Sequence, residues 1–140
     1  MSATATRGDA PLVYADASAL VKLVVEETES EALERYLDAT EPVVTTSRLA
    51  LVEIASALAK SDLEGDNRAE ATRLLRSYFL VDVTGPIIED AAILAASVRS
   101  LDAIHLASAR HVRPDEILVY DRKLARAAAE LGFVVVQPGV

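Results

Sequence analysis

Leu12-Val13-Tyr14-Ala15-Asp16 is a short apolar run that ends on a carboxylate, and helix-forming residues follow it from Ala17 onward. The same order returns near the other end of the chain, where Ile117-Leu118-Val119-Tyr120-Asp121 precedes a helix-like segment. Short apolar strands that alternate with helices are typical of a parallel sheet covered on both faces. The pattern therefore predicts an α/β fold.

Further elements follow from the same patterns. Ser47 is the predicted N-cap of the third helix, and Gly132 is predicted to end the last one. The predicted strands are 12–15, 42–45, 79–83, 117–120 and 133–136, and the predicted helices are 18–25, 30–38, 48–61, 68–78, 88–112 and 122–131.

Composition limits the class of protein. A chain of 140 residues with 51% hydrophobic residues predicts one globular domain, here residues 11–140, preceded by a flexible tail over 1–10. That tail has no apolar segment of a signal peptide. No stretch approaches the roughly 20 apolar residues of a membrane span. The absence of cysteine excludes disulfides and thiolate zinc sites, and we expect a cytoplasmic protein.

Negative charge is concentrated in one half of the sequence. The net charge is −8, and residues 1–67 carry 13 acidic and 5 basic side chains, whereas residues 68–140 carry 9 of each. An acidic chain is poorly suited to non-specific binding of nucleic acid. Bound divalent cations would reverse this locally, because such an ion is often the largest charge in its site.

Two further acids interrupt segments that are otherwise apolar. Glu53 is the only charged residue between Arg48 and Lys60, and Asp102 lies among Leu, Ala and Ile residues. We expect both helices to be buried, and an unpaired buried carboxylate is costly. Each acid also has a simpler explanation. Asp16 and Asp121 are suited to capping helices, Glu53 to a narrow exposed stripe with Ser56, and Asp102 to the first turn of a helix, which favours anions.

Taken together, the four acids predict one site. Sites in open parallel sheets form beyond the carboxyl ends of the strands, so Asp16 and Asp121 meet if strands 12–15 and 117–120 are neighbours. Several ionised carboxylates close together need cations, and oxygen ligands select magnesium or manganese. One or two such ions are suited to phosphodiester hydrolysis. We leave His105 outside this site, as a core histidine with one satisfied nitrogen.

Three motifs resemble the PIN-domain ribonucleases, particularly the VapC-type toxins of bacterial toxin–antitoxin pairs. They are VYADASALVKL at 13–23, LDAIHLA at 101–107 and VYDRKLA at 119–125. Glu53 lies where the second acid of that family is expected, and the resemblance spans about residues 12–138. It implies a PIN-like fold with a short central parallel sheet of four to five strands, flanked by helices on both faces.

The resemblance also implies an activity and partners. It implies an endoribonuclease that depends on Mg²⁺ or Mn²⁺ and leaves a 3′-hydroxyl and a 5′-phosphate. Ser18 would position the first acid, the metal's water or the scissile phosphate. Homodimerisation is implied, as is an antitoxin whose C-terminal segment blocks the acidic groove. The implied metal ligands are Asp16, Glu53, Asp102 and Asp121.

The sequence departs from the family in three places. Ala17 stands where Thr is commoner, and Lys123 stands where some members carry a further Asp, so a fifth metal ligand is not expected. The family also has a loop before its third motif, whereas residues 95–100 run directly into Asp102. We expect two helices here, with a break near Arg99.

Two other classes of function compete with a ribonuclease. One is a non-catalytic PIN-like module that binds a partner, which the shortened approach to Asp102 favours. The other is phosphoryl transfer through an aspartyl intermediate, which Ser18 disfavours because such enzymes place a second Asp there. Aromatic residues form no visible platform for stacking bases. Contacts to RNA phosphates are expected from basic residues of the C-terminal half, namely Arg99, Arg122, Lys123 and Arg126.

Overall fold

A computed structural model describes residues 10–60 and 66–140. Its strands are Leu12–Ala15 (β1), Val43–Ser47 (β2), Phe79–Val81 (β3), Glu116–Leu118 (β4) and Val135–Val136 (β5). Its α-helices are Ala17–Leu20 (α1), Ser30–Thr40 (α2), Leu49–Ala59 (α3), Asp66–Arg76 (α4), Gly85–Leu94 (α5), Ser100–Val112 (α6) and Arg122–Glu130 (α7). A 3₁₀ turn, Val21–Leu23, extends α1.

The five strands form one parallel sheet in the order β3-β2-β1-β4-β5. β1 lies at its centre, and Tyr14 of β1 is in register with Ile117 of β4. The first and fourth strands are therefore neighbours, which is the condition under which the sequence predicts that Asp16 and Asp121 meet. The carboxyl ends of these two strands lead into the two acids that their motifs share, Asp16 and Asp121.

Side chains of β1 alternate between two cores. Val13 and Ala15 pack on one face with Leu20, Ile54 and other buried residues of α1 to α4. Tyr14 packs on the opposite face with residues of α6 and α7. This alternation follows from the two-residue period of a strand, and it confirms the predicted sheet with helices on both faces.

The predicted break before the third motif is also confirmed. α5 ends at Leu94, and Arg99 has an extended backbone with φ −66° and ψ 155°, so α6 starts afresh at Ser100. Asp102 consequently lies in the first turn of a helix rather than in its middle. A tight turn over 95–99 connects the two helices.

The start of α3 differs from its prediction. Strand β2 continues through Ser47, so the residue at the N-cap position is Arg48. The Ser47 hydroxyl nevertheless accepts a hydrogen bond of 3.0 Å from the Leu49 amide, which supports the first turn. The predicted tail over 1–10 falls almost wholly outside the described residues, as does Ser61, the predicted end of this helix.

The predicted burial of α3 is wrong. Ala50, Ile54 and Leu58 are buried, but Val52 is 67% exposed and Leu51 is 36% exposed. Only one stripe of a helix contacts the core, and here the residues outside that stripe are apolar as well. α3 therefore presents an apolar surface that no described part of the chain covers. Among the described residues, no helix is long and apolar enough to cross a membrane.

Candidate active site

Asp16 lies at the carboxyl end of β1 and is almost completely buried, with 5% of its surface exposed. Its Oδ1 atom accepts hydrogen bonds from the Ser18 hydroxyl at 2.6 Å and from the Ala19 amide at 3.2 Å. Burial raises the pKa of the Asp16 carboxyl, although the bond from Ser18 acts in the opposite direction. Asp16 thus caps α1, and its burial makes the charged form of the carboxylate unfavourable.

Ser18 connects the first and fourth acids. Its hydroxyl donates to Asp16 and accepts hydrogen bonds from the amides of Tyr120 at 3.0 Å and Asp121 at 3.3 Å. A hydroxyl can make these contacts together because it has one donor and two lone pairs. One side chain therefore fixes the ends of β1 and of the β4–α7 connection relative to each other.

Asp121 and Asp102 both form an ion pair with the same side chain, Arg99. Asp121 caps α7 by accepting a hydrogen bond of 3.0 Å from the Leu124 amide through Oδ1. Its Oδ2 atom lies 3.3 Å from an Arg99 guanidinium nitrogen, and Arg99 Nε lies 3.2 Å from Asp102 Oδ2. These two carboxylates, led by Asp102, raise the pKa of the Arg99 guanidinium. The guanidinium thus bridges the third and fourth acids.

Glu53 is held by a histidine. Its Oε1 atom lies 2.5 Å from Nε2 of His105, and Nδ1 of the same ring lies 2.7 Å from the Tyr14 hydroxyl. His105 is 2% exposed, whereas the Glu53 side chain is 22% exposed. Burial, followed by the charge of Asp16, raises the pKa of the Tyr14 hydroxyl, which therefore stays protonated. A chain of hydrogen bonds thus runs from β1 through α6 to the acid on α3.

These contacts link the predicted acids in two groups. Ser18 and Arg99 connect Asp16, Asp121 and Asp102, while Glu53 is tied to His105. His105, which the sequence analysis leaves outside the site as a core residue with one satisfied nitrogen, contacts Glu53 and Tyr14 through both ring nitrogens. The available signal was its position one helical turn after Asp102, on the side of α6 that faces the sheet.

The donor chemistry fits a hard divalent cation. All four predicted ligands are carboxylates, the group that Mg²⁺ and Mn²⁺ prefer, and Arg99 shows that Asp102 and Asp121 accept one cation between them. Over residues 10–60 and 66–140, however, no three His, Asp or Glu side chains are placed close enough together to hold one ion.

Comparison with known proteins agrees with this geometry. The model of the PIN domain family matches residues 13–130. Ribonuclease VapC46 of Mycobacterium tuberculosis is 39% identical over 129 residues, which cover 90% of this chain and 97% of the relative. Ribonuclease VapC47 of the same species is 34% identical, covering 91% of this chain and 98% of the relative.

Solved structures share the fold at lower identity. M. tuberculosis VapC20, described as a toxin that cleaves the sarcin–ricin loop, superposes with a TM-score of 0.74 at 23% identity, covering 90% of this chain and 99% of its own. A toxin–antitoxin complex from Klebsiella pneumoniae superposes with a TM-score of 0.70 at 20% identity, covering 90% and 97%. By sequence and by fold, the chain belongs to the PIN-domain family, in its VapC group.

Proposed function

We propose that this chain is a metal-dependent endoribonuclease and the toxin of a toxin–antitoxin pair. The observation that carries the proposal is the link through Ser18 between Asp16 and Asp121, at the ends of two neighbouring parallel strands. Relatives at 34–39% identity are named ribonucleases, and their chains are covered almost completely. The reaction is hydrolysis of an RNA phosphodiester bond.

Asp16, Glu53, Asp102 and Asp121 are the residues proposed to hold one or two Mg²⁺ or Mn²⁺ ions. When bound, such an ion polarises the phosphodiester and lowers the pKa of an attacking water. Ser18 orients Asp16, and His105 orients Glu53, so neither acid has to be ordered when the ion arrives. Arg99 contacts Asp102 and Asp121 together, and a metal ion held by these two acids would supply the positive charge that the guanidinium supplies here.

The proposed partners are an antitoxin, an RNA substrate and a second copy of the chain. Structures with this fold include toxin–antitoxin complexes. A homodimer would cover the apolar surface of α3, where Val52 is two-thirds exposed. Because RNA is the substrate, the proposed location is the cytoplasm. The proposed domain is 11–140, with residues 1–10 as a tail.

Isosteric substitution of the acids tests the proposed ribonuclease activity directly. Asp16→Asn and Asp102→Asn are expected to abolish cleavage of bacterial RNA in Mg²⁺ by purified protein, while Asp38→Asn, an exposed acid of α2, is expected to leave it unchanged. Mapping of the RNA ends would identify the cut and its 5′-phosphate. Undiminished cleavage by both active-site variants would contradict the proposal.

A second candidate function is a non-catalytic PIN-like module that binds a partner. The position of Arg99 favours it, because a built-in cation between Asp102 and Asp121 makes a metal ion unnecessary for neutralising them. Isothermal titration calorimetry separates the two functions. Binding of Mg²⁺ or Mn²⁺ that is lost in Asp16→Asn supports the enzyme, and no binding at millimolar concentrations supports the module.

A further inference from the structure

We propose that a groove between α6 and α7 binds single-stranded RNA next to the scissile bond. This inference rests on the proposed ribonuclease function and names the subsite that holds the neighbouring nucleotide. The groove has a volume of about 730 Å³ and is bounded by the 95–99 turn, α6 and α7. A cavity of this size suits a ligand as large as one nucleotide.

One side of the groove is a cluster of cations, here called the basic rim: Arg99, Arg122, Lys123 and Arg126. Only two acids, Asp102 and Glu130, line the same groove. Arg99 is already paired with Asp102 and Asp121, but Arg122, Lys123 and Arg126 form no ion pair with any described residue. In a chain of net charge −8, three unpaired cations at one place indicate an anionic ligand.

The placement of these cations on α7 is electrostatically unfavourable without a ligand. Arg122 and Lys123 occupy the first turn of the helix, where the helix dipole favours anions, and the acid at this end, the N-cap Asp121, is paired with Arg99. Arg122 and Arg126 are also four residues apart, so like charges are neighbours on the helix surface. A bound phosphate would reduce both the repulsion between these cations and their unfavourable interaction with the helix dipole.

The groove continues directly into the proposed active site. Asp102 belongs to both, and Arg99 contacts Asp102 and Asp121 from the groove. An RNA strand whose scissile phosphate lies at the acids therefore places an adjacent phosphate on the basic rim. The rest of the lining is largely apolar, and Leu106 at its base is buried.

The apolar lining, here called the floor, consists of Leu94, Val98, Leu106, Ala127 and Leu131. It contains no aromatic residue, so a base would pack against aliphatic side chains rather than stack on a ring. This contact carries no charge, whereas the contacts to the basic rim do. The two parts of the groove consequently respond differently to salt, which makes them separable by experiment.

RNA binding is measured on the Asp16→Asn chain in Mg²⁺, so that the probe is not consumed. The probe is a fluorescein-labelled single-stranded RNA of random sequence, and fluorescence anisotropy gives Kd from about 50 to about 200 mM KCl. Arg122→Gln/Lys123→Gln/Arg126→Gln is expected to weaken binding about tenfold or more and to reduce the slope of log Kd against log salt by about 2, since each lost phosphate contact contributes about 0.7.

Three further variants separate the effect of charge from the effect of shape. Arg35→Gln/Arg73→Gln/Arg76→Gln removes the same charge from α2 and α4 and is expected to leave Kd and slope close to those of the parent. Leu131→Asn, on the partly exposed edge of the floor, is expected to weaken binding without changing the slope. Circular dichroism checks that each variant is folded. Arg122→Lys/Arg126→Lys retains the charges and is expected to retain the slope.

The result that overturns the subsite is distinct from the failure of the enzyme. If the parent cleaves and binds RNA but the variant of the basic rim binds with an unchanged Kd and slope, the groove is not an RNA subsite. The same conclusion follows if that variant loses only its binding to the antitoxin and still binds RNA as the parent does. If the unaltered chain cleaves no RNA in Mg²⁺, the proposed function itself fails.

Discussion

Nε2 of His105 lies 2.5 Å from Oε1 of Glu53, and Nδ1 of the same ring lies 2.7 Å from the Tyr14 hydroxyl. Because a carboxylate oxygen accepts hydrogen bonds, the tautomer that satisfies both contacts carries its proton on Nε2 and accepts from Tyr14 at Nδ1. The ring of His105 is held edge-on to that of Tyr14, with centroids 5.9 Å apart. A buried histidine therefore fixes the direction of the acid on α3.

Replacement of His105 by Ala is expected to lower the free energy of unfolding by about 1–3 kcal/mol, because the buried Tyr14 hydroxyl loses its partner. Cleavage should fall as well, since Glu53 loses its orientation. His105→Gln is expected to restore part of the activity, because its amide can donate to Glu53. Urea unfolding and an RNA cleavage assay measure the two effects. His111→Ala, at an exposed position, is the control, and equal stability of both Ala variants would contradict the assigned role.

Much of this site could be predicted from residue patterns alone. Asp16 and Asp121 each follow an apolar strand, and parallel strands bring such ends to one edge of a sheet. The role of His105 could not be predicted, because the sequence of an apolar helix indicates which side is buried but not which residues that side contacts. The exposure of α3 was missed for a related reason: a helix that contacts another molecule has the same composition as one inside a core.

Replacement of Asp16 by Asn is expected to stabilise the protein while removing its activity. Burial raises the pKa of Asp16, so the folded state binds a proton more tightly than the unfolded chain. The free energy of unfolding therefore falls as pH rises from about 3.9, the ordinary pKa of Asp, through the raised pKa of the folded state. Asn keeps the acceptor for Ser18 without the charge.

At pH 7 this variant should be more stable than the parent by roughly 0.5–2 kcal/mol, a difference that shrinks toward pH 3. Thermal unfolding across this pH range measures it. Added Mg²⁺ should raise the Tm of the parent and have little effect on the variant. Asp38→Asn is the matched control at an exposed acid. A less stable Asp16→Asn protein at pH 7 would show that the buried carboxylate does not lower the free energy of unfolding.

Removal of the Arg99 guanidinium is expected to tighten Mg²⁺ binding. The guanidinium contacts both Asp102 and Asp121, and its side chain is 65% exposed, so the contact is a solvent-screened surface ion pair that a metal ion can displace at a small cost. Arg99→Gln should therefore lower the Kd for Mg²⁺ about two- to fivefold in calorimetry. Arg48→Gln, which breaks the exposed pair with Asp82, is the control. Weaker Mg²⁺ binding by Arg99→Gln would show that the guanidinium does not compete with the ion.

A charge on the exposed surface of α3 is expected to separate the proposed dimer. Val52 is 67% exposed, and a lysine there would have to be buried without a partner when two copies associate through this helix. Light scattering after size exclusion should give about twice the 14.9 kDa chain mass for the parent and the single mass for Val52→Lys.

Val134→Lys alters an apolar residue that is 59% exposed beside β5, away from α3, and serves as the control. It is expected to stay dimeric, because a lysine on a free surface keeps its hydration. Both variants should unfold at similar urea concentrations, since neither position belongs to a core. A dimeric Val52→Lys protein would exclude α3 as the interface, and its apolar surface would then be left for the antitoxin to cover.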